Sequence, residues 1–349
     1  LSIGPLISAL SAGCPVILKP SEMTPHTSEL ISKMISELFD PKEVAVVLGG
    51  IETSQTLLKL PFDHIFFTGS PTVGKIVMKA AAENLSSVTL ELGGKSPAIV
   101  DEDADCKDAA EKLIWGKYVN CGQTCIAPDY LLVHESILEN LFSEMKVAIQ
   151  KMYDPDFKGI EKSPDMARIV NDKHFNRLTE NIEDALSKGA QLVFGGNSDQ
   201  HTRYIEPTIL RNVSDEMQVM EEEIFGPILP VKSYISIGEA IDYVNSKPKP
   251  LALYFFGVNA EQSSKVLRET SSGNAVINDC VLHYLHMELP FGGVNNSGIG
   301  KAHGYHGFLA FSNEKGVLKQ RVGLNNVTLL RPPYGIKAKQ IIASLIKWF

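Results

Sequence analysis

The sequence is poor in the features that mark several large classes of protein. Its 349 residues include five cysteines and two tryptophans, and no charged residue precedes Lys19. The cysteines, at 14, 106, 121, 125 and 280, are odd in number, and the chain is too long for a small disulfide-stapled scaffold. Free thiols in a reducing, intracellular compartment are expected, either in the cytoplasm or on the cytosolic face of a membrane. Cys121 and Cys125 form a C-x-x-x-C pair, but no second Cys or His pair sits at finger spacing, so no structural zinc and no other metal site is expected. The histidine pairs His283/His286 and His303/His306 do not form H-E-x-x-H and read as surface or satisfied core positions. No basic block interleaves with aromatics and the net charge is −8, which argues against a nucleic-acid partner. The uncharged start lacks the basic segment of a signal peptide. Pro5 and Pro15 also break any helix of the about 20 apolar residues needed to span a bilayer. With no initiator methionine, the sequence reads as beginning inside a domain.

What is present is a large apolar content, 44%, enough for a sizeable core. The length suggests about two domains. Residues 5–12 read as the end of a helix and 15–18 as a buried strand. Leu30, Ile31, Met34, Ile35 and Leu38 give 27–39 helical spacing. Strands are expected at 44–48, 64–68 and 88–92, with helices at 54–60 and 73–85. Continuous apolar strands alternating with helices predict a parallel sheet covered on both faces, with ligands at the carboxyl ends of its strands. A second α/β unit starts near Lys95. It has helices at 109–119, 137–152 and 176–188, and strands at 130–133, 252–257 and 275–278. The Gly-rich tract 291–307 reads as loop. Beyond Glu314 there is no acidic residue, while Lys315, Lys319, Arg321, Arg331, Lys337, Lys339 and Lys347 are basic. Residues 336–349 bring Ile341, Ile342, Leu345, Ile346 and Phe349 near one helical face.

Three segments carry chemistry. The first, 69–76, follows a strand and reads GSPTVGKI. A Gly-flanked turn into a helix N-terminus offers free N–H groups to an anion. It matches G-x-x-x-x-G-K, yet Ile76 stands where a nucleotide triphosphatase needs a Ser or Thr for magnesium. Asp101, after the apolar run 98–100, could mimic the strand-end carboxylate of such an enzyme. The Rossmann G-x-G-x-x-G is also absent. In the second, 88–95 (VTLELGGK), Glu91 ends an apolar strand beside two glycines. A carboxylate in such surroundings has a raised pKa and suits a general base, although a strand-end Glu can equally pair with a surface Lys. In the third, 120–125 (NCGQTC), Cys125 sits in a loop, where a thiol is either a reachable nucleophile or an ordinary buried cysteine.

Taken together, these segments resemble the aldehyde dehydrogenases. Residues 120–130 (NCGQTCIAPDY) are similar to the active-site cysteine motif of class 3 members, and 88–97 (VTLELGGKSP) to the glutamate motif. Residues 18–22 (LKPSE), 67–74 (FTGSPTVG), 222–230 (EEIFGPILP) and 290–300 (PFGGVNNSGIG) match further segments in order. The likeness runs from residue 1 to about 311. Residues 204–210 (YIEPTIL) and 251–255 (LALYF) point to the fatty-aldehyde branch.

The resemblance implies an α/β fold with a Rossmann-type cofactor domain, 1–92 (its N-terminal part missing), and a second α/β catalytic domain, 93–294. The C-terminal loop and oligomerisation tail would be 295–349. It implies Cys125 as nucleophile and Glu91 as general base. Lys19 and Glu22 would meet the adenosine ribose, and Gly69, Ser70 and Gly74 the pyrophosphate turn. Glu223 would hold the nicotinamide ribose, with Phe225 beside the nicotinamide. NAD is the expected cofactor, with NADP also accepted in the class. A medium- to long-chain aliphatic aldehyde is the expected substrate and a homodimer the expected assembly, and 336–349 could lie on a membrane surface. Retention of both Cys125 and Glu91 argues against a non-catalytic binding protein. Two departures stand out. Asn295 replaces a usual glycine, in a turn where Asn tolerates φ > 0. The asparagine that helps bind the oxyanion lies upstream of this sequence, and without it turnover is expected to fall by about 10²–10³.

Overall fold

A computed structural model describes residues 1–323, 325 and 331–348. It comprises two compact units, Leu1–Phe311 and Ser312–Phe349. The first opens with α1 (Ile3–Ser11), β1 (Val16–Leu18), α2 (Pro25–Leu38), β2 (Val44–Val46) and α3 (Ile51–Leu57). It continues with β3 (His64–Gly69), α4 (Pro71–Glu83) and β4 (Ser87–Leu92). β1 pairs parallel with β2, and β3 parallel with β4. These two pairs belong to separate sheets, so the single sheet expected from the alternating pattern is not formed among the described residues. Among the described residues the β1–β2 pair leaves Ile17 exposed, whereas β4 is buried from Thr89 to Leu92. Leu6 of α1, Ile35 of α2 and Val44 form one small apolar cluster. The opposite side of α2 leaves Leu30, Met34 and Leu38 exposed. α3 starts three residues earlier than its pattern suggested, after the Gly50 N-cap, and it stops at Leu57, short of Leu60, where Pro61 disfavours helical backbone.

The main core is the second α/β layer. Its elements are β5 (Pro97–Val100), α5 (Cys106–Tyr118), β6 (Tyr130–His134), α6 (Leu138–Tyr153), α7 (Asp172–Ser187) and β7 (Gln191–Phe194). A small hairpin, β8 (Ser198–Asp199) and β9 (Tyr204–Ile205), precedes β10 (Thr208–Arg211), α8 (Gln218–Glu221) and β11 (Ile228–Tyr234). Then come α9 (Ile237–Ser246), β12 (Ala252–Phe256), α10 (Ala260–Glu269) and β13 (Asn274–Ile277). Seven strands form one sheet in the order β13-β12-β5-β6-β11-β10-β7, parallel except for the β7 edge. β5, β6 and β12 are buried over almost their whole length, the pattern of parallel strands with both faces covered. Leu141, Phe142, Met145, Ala148 and Ile149 of α6 lie on one helical stripe and all are buried.

The tract 291–307 is more ordered than the expected loop. It contains β14 (Gly298–Ile299) and the start of α11 (Gly304–Ala310). β14 pairs antiparallel with β4, setting Gly298 opposite Glu91 and Ile299 opposite Leu90. Asn295 has φ 55, the left-handed backbone that the replaced glycine would favour. In the second unit, α12 (Ile336–Ile346) exposes Ile342, Leu345 and Ile346. Phe349, expected on that face, lies outside the described residues. Among the described residues no helix is long and apolar enough to cross a membrane.

Candidate active site

α5 delivers the cysteine loop. Asp105 caps its N-terminus by accepting from the Lys107 and Asp108 amides at 3.0 and 3.1 Å. The helix stops at Tyr118, and Asn120, Cys121 and Gly122 then take left-handed backbone with φ 52, 56 and 71. Three such residues in a row reverse the chain and are held by surrounding bonds. The Asn120 side chain donates to the Gln123 carbonyl at 3.0 Å, and the Gln123 side chain donates back to the Asn120 carbonyl at 3.0 Å. Gln123 also donates to the Arg168 carbonyl at 3.1 Å and accepts from the Val170 amide at 2.9 Å. A Cβ on Gly122 would stand 2.2 Å from the Gly226 carbonyl oxygen, so only glycine lets this turn meet the 222–227 segment.

The loop buries Cys121 completely and leaves Cys125 partly accessible. All five cysteines are free thiols. Burial pushes the Cys125 thiol up to about 12, and the Glu223 and Glu91 carboxylates add to the rise. The backbone N–H groups of Cys125 and Ile126 oppose it.

Glu91 is 6% exposed, and neither carboxylate oxygen has a hydrogen-bond partner among the described residues. Burial raises its pKa to about 8, with Lys301 pulling the other way. Glu223 is raised to about 8 as well, first by burial and then by Asp129, while the Gly94 amide and the lysines 95 and 117 oppose the shift. Its carboxylate lies against Gly93, where a Cβ would come within 1.9 Å of Oε2. Phe225 follows with φ 47 and is 36% exposed. Glu91, Glu223 and Cys125 therefore share one electrostatic field, although they come from three distant segments.

Sequence reasoning missed the group that ties those segments together. Asp129, buried at the end of the cysteine motif, pairs with Lys95 of the glutamate motif. It also accepts from the Ile224 amide at 2.9 Å, next to Glu223. Lys95 donates further to the Val219 and Glu222 carbonyls at 2.7 and 3.0 Å. Lys117 is buried nearby, its pKa pushed down to about 8 by burial against the pull of Asp129. The available signal was positional: Lys95 ends the segment 88–95, and Asp129 is the next-to-last residue of 120–130.

The remaining expected cofactor positions lie at strand ends. Lys19 and Glu22 follow β1 and pair at 2.8 Å, which holds the Glu22 carboxyl below its usual range. Gly69 ends β3, and Ser70 caps α4, its hydroxyl accepting from the Val73 amide at 3.3 Å. Gly74 is buried and faces the sheet, since a Cβ would stand 2.6 Å from Leu92 Cδ2. That residue lets the helix approach β4 closely, as the last glycine of a dinucleotide fingerprint does. The triphosphatase alternative fails here. Ile76 is exposed, and Asp101 lies at the end of β5 in the other sheet, accepting the Tyr234 hydroxyl at 2.9 Å.

Residues 1–317 match the aldehyde dehydrogenase family. The chain belongs to that family. It is 47% identical over 345 residues to a probable coniferyl aldehyde dehydrogenase of Pseudomonas aeruginosa, covering 99% of this chain and 71% of that protein. It is 43% identical over 339 residues to aldehyde dehydrogenase family 3 member A2 of Pongo abelii, covering 97% and 68%. The substrate-bound AldH of Staphylococcus aureus superposes with a TM-score of 0.92 at 47% identity, covering 99% of this chain and 74% of that one. These likenesses are consistent with a class 3 branch, and the enzyme oxidises aldehydes with NAD(P).

Two of the four paired histidines take the core option of the sequence reading, but without the satisfied ring nitrogens it assumed. His283 and His303 are buried, and among the described residues neither ring nitrogen of His283 and not the Nδ1 of His303 has a hydrogen-bond partner. Both stack on Phe291, at centroid distances of 5.8 and 4.9 Å. Tyr284 packs edge-on against Phe291 at 5.1 Å. Cys125 and Glu91 both act on the Tyr284 phenol electrostatically, so this aromatic cluster adjoins the thiol.

Proposed function

We propose that Cys125 is the nucleophile and Glu91 the general base in the oxidation of medium- to long-chain aliphatic aldehydes. One observation carries this reading: the partly accessible thiol of Cys125 feels both buried carboxylates, while Cys121 is sealed in the turn. The thiol proton leaves to solvent as the sulfur attacks the aldehyde carbon, and a C–S bond forms as the carbonyl becomes an oxyanion. The N–H groups that oppose the rise of the thiol pKa also favour negative charge at that point. A nicotinamide held by Glu223 and Phe225 would supply the hydride acceptor that takes this adduct to a thioester. Glu91 then takes a proton from water as the oxygen adds to that thioester, the C–S bond breaks and a carboxylic acid leaves. With a pKa near 8 and no competing hydrogen bond among the described residues, Glu91 suits a proton acceptor near neutral pH.

Residues 1–92 form the cofactor half and 93–294 the catalytic half of this reading. The strand-end positions of Lys19, Glu22, Gly69 and Ser70 fit a dinucleotide, with Gly74 setting helix against strand. Glu223 and Phe225 would hold the nicotinamide end. Glu22 disfavours a 2′-phosphate, so NAD is preferred over NADP. The apolar cluster of Tyr284 and Phe291 beside the thiol supports an apolar aldehyde. The class 3 likeness supports a homodimer, and sedimentation as a monomer would refute it. Residues 336–349, with Lys337, Lys339 and Lys347 beside exposed Ile342, Leu345 and Trp348, suit a membrane surface. Unchanged binding to anionic vesicles after deletion of 336–349 would remove that role.

The deciding experiment follows reduced nicotinamide formation with a long-chain aldehyde in the intact protein. Cys125→Ala should abolish it. Glu91→Gln should give a stoichiometric burst and then stall. Activity surviving Cys125→Ala would transfer the nucleophile role to another residue. Steady turnover in Glu91→Gln would remove Glu91 from hydrolysis.

A further inference from the structure

The charged and titratable groups that act on the buried Glu91 carboxylate are the Cys125 thiol, the Tyr284 phenol and the Lys301 ammonium. Among the described residues, Lys301 is the cation of this set. It follows β14, whose pairing with β4 sets Gly298 opposite Glu91. Its Nζ donates to the Gly292 carbonyl at 2.6 Å and to the Gly273 carbonyl at 3.3 Å. Gly292 is the shared wall. A Cβ placed on it would stand 3.1 Å from Glu91 Oε1 and 3.1 Å from Lys301 Cδ. The carboxylate and the lysine stem therefore flank the same glycine, while neither Glu91 oxygen accepts a hydrogen bond from the ammonium.

We propose that Lys301 is a positioning residue for thioester hydrolysis: its ammonium, moored to two backbone carbonyls beside Glu91, favours the anionic, proton-accepting form of that carboxylate without closing an ion pair on it. A buried carboxyl with no cation nearby stays protonated and cannot take a proton from water. A carboxylate in direct ion-pair contact has its lone pairs occupied and its basicity spent. The two carbonyls hold Lys301 between these limits. Burial lowers the Lys301 pKa and raises that of Glu91, and each charge counters the burial of the other.

The inference rests on Glu91 acting as the base. The test therefore measures hydrolysis of the acyl-enzyme separately from its formation, across pH, in the intact protein with cofactor and a long-chain aldehyde. Lys301→Met should move the acid limb of the hydrolysis profile upward by about one pH unit. Hydrolysis at pH 7 should then slow about tenfold while the burst remains stoichiometric. Lys301→Arg should restore the limb. If Lys301→Met fails to fold, Lys301→Gln keeps a donor for the Gly292 carbonyl without the charge and is read in the same way. An acid limb that stays in place in the neutral variant overturns the proposal, even if the variant is slower throughout. Glu91→Gln separates the two readings. A stalled burst there upholds Glu91 whatever Lys301 does, and continued hydrolysis there removes Glu91 itself.

Discussion

The raised Glu91 pKa has a consequence for stability that can be measured without any substrate. Burial lifts the carboxyl from 4.5 to about 8. Between those pH values the folded protein keeps a proton that the unfolded chain has already released. Folding therefore loses stability as pH rises from about 4.5 to about 8, and the loss is complete above 8. At about 1.4 kcal/mol per unit, the full cost is about 5 kcal/mol. Solvent screening does not reduce it much, because the side chain is 6% exposed. Glu91→Gln carries no such proton linkage and keeps nearly the same shape. An unfolding entropy of about 2.1 cal/mol/K per residue across a chain this long turns 5 kcal/mol into about 7 °C. Thermal scans of wild type and Glu91→Gln, without cofactor, should thus show a gap in Tm that widens by about that amount in favour of the variant between pH 4 and pH 9. Glu223 titrates with the same sign, but it is present in both proteins and cancels. A gap that does not change with pH would mean that Glu91 ionises as an exposed carboxylate, and the base assignment would lose its physical ground.

Three other outcomes are expected. Lys95→Met leaves Asp129 buried without its partner and should cost about 3–5 kcal/mol in urea denaturation, whereas a loss below about 1 kcal/mol would deny the pair its structural role. Gly93→Ala puts a Cβ 1.9 Å from Glu223 Oε2, so that carboxylate must move; NAD binding followed by fluorescence should weaken, and unchanged affinity would separate Glu223 from the cofactor. Because burial and two carboxylates push the Cys125 thiol up to about 12, its alkylation by iodoacetamide without cofactor should keep rising from pH 7 to pH 10, and a plateau near pH 8 in peptide mass spectrometry would contradict that environment.

The sequence pattern reached the helices and most strands because their signals are local. The stripe Leu141, Phe142, Met145, Ala148, Ile149 marks α6 by itself, and the solid apolar runs of β6 and β12 announce a doubly covered sheet. The pattern misled where pairing partners decide the outcome. The apolar runs at 16–18 and 64–69 look alike, yet they end in different sheets. The cluster of Leu6, Ile35 and Val44 from three separate elements is a tertiary fact that periodicity cannot express. β14 was invisible for the same reason: Gly298 and Ile299 become a strand only because β4 lies beside them.

The site shows the same division at closer range. Cys125 and Glu91 stand out in the chain because each has reactive chemistry within three residues of a glycine. Lys95 and Asp129 look like ordinary surface charges, because an isolated Lys or Asp in a loop is nearly always solvated. Their importance arises from convergence. The Lys95–Asp129 pair and the Asp129 bond to the Ile224 amide bring three motifs to one point, and the charge is tolerable in the core only because further carbonyls complete it. Lys301 stayed hidden behind glycines, since its mooring carbonyls belong to Gly273 and Gly292, and a carbonyl leaves no mark in side-chain sequence. Groups that react can therefore be read from residue type and neighbours. Groups that set the protonation of those reactive side chains are found only when the backbone around them is known.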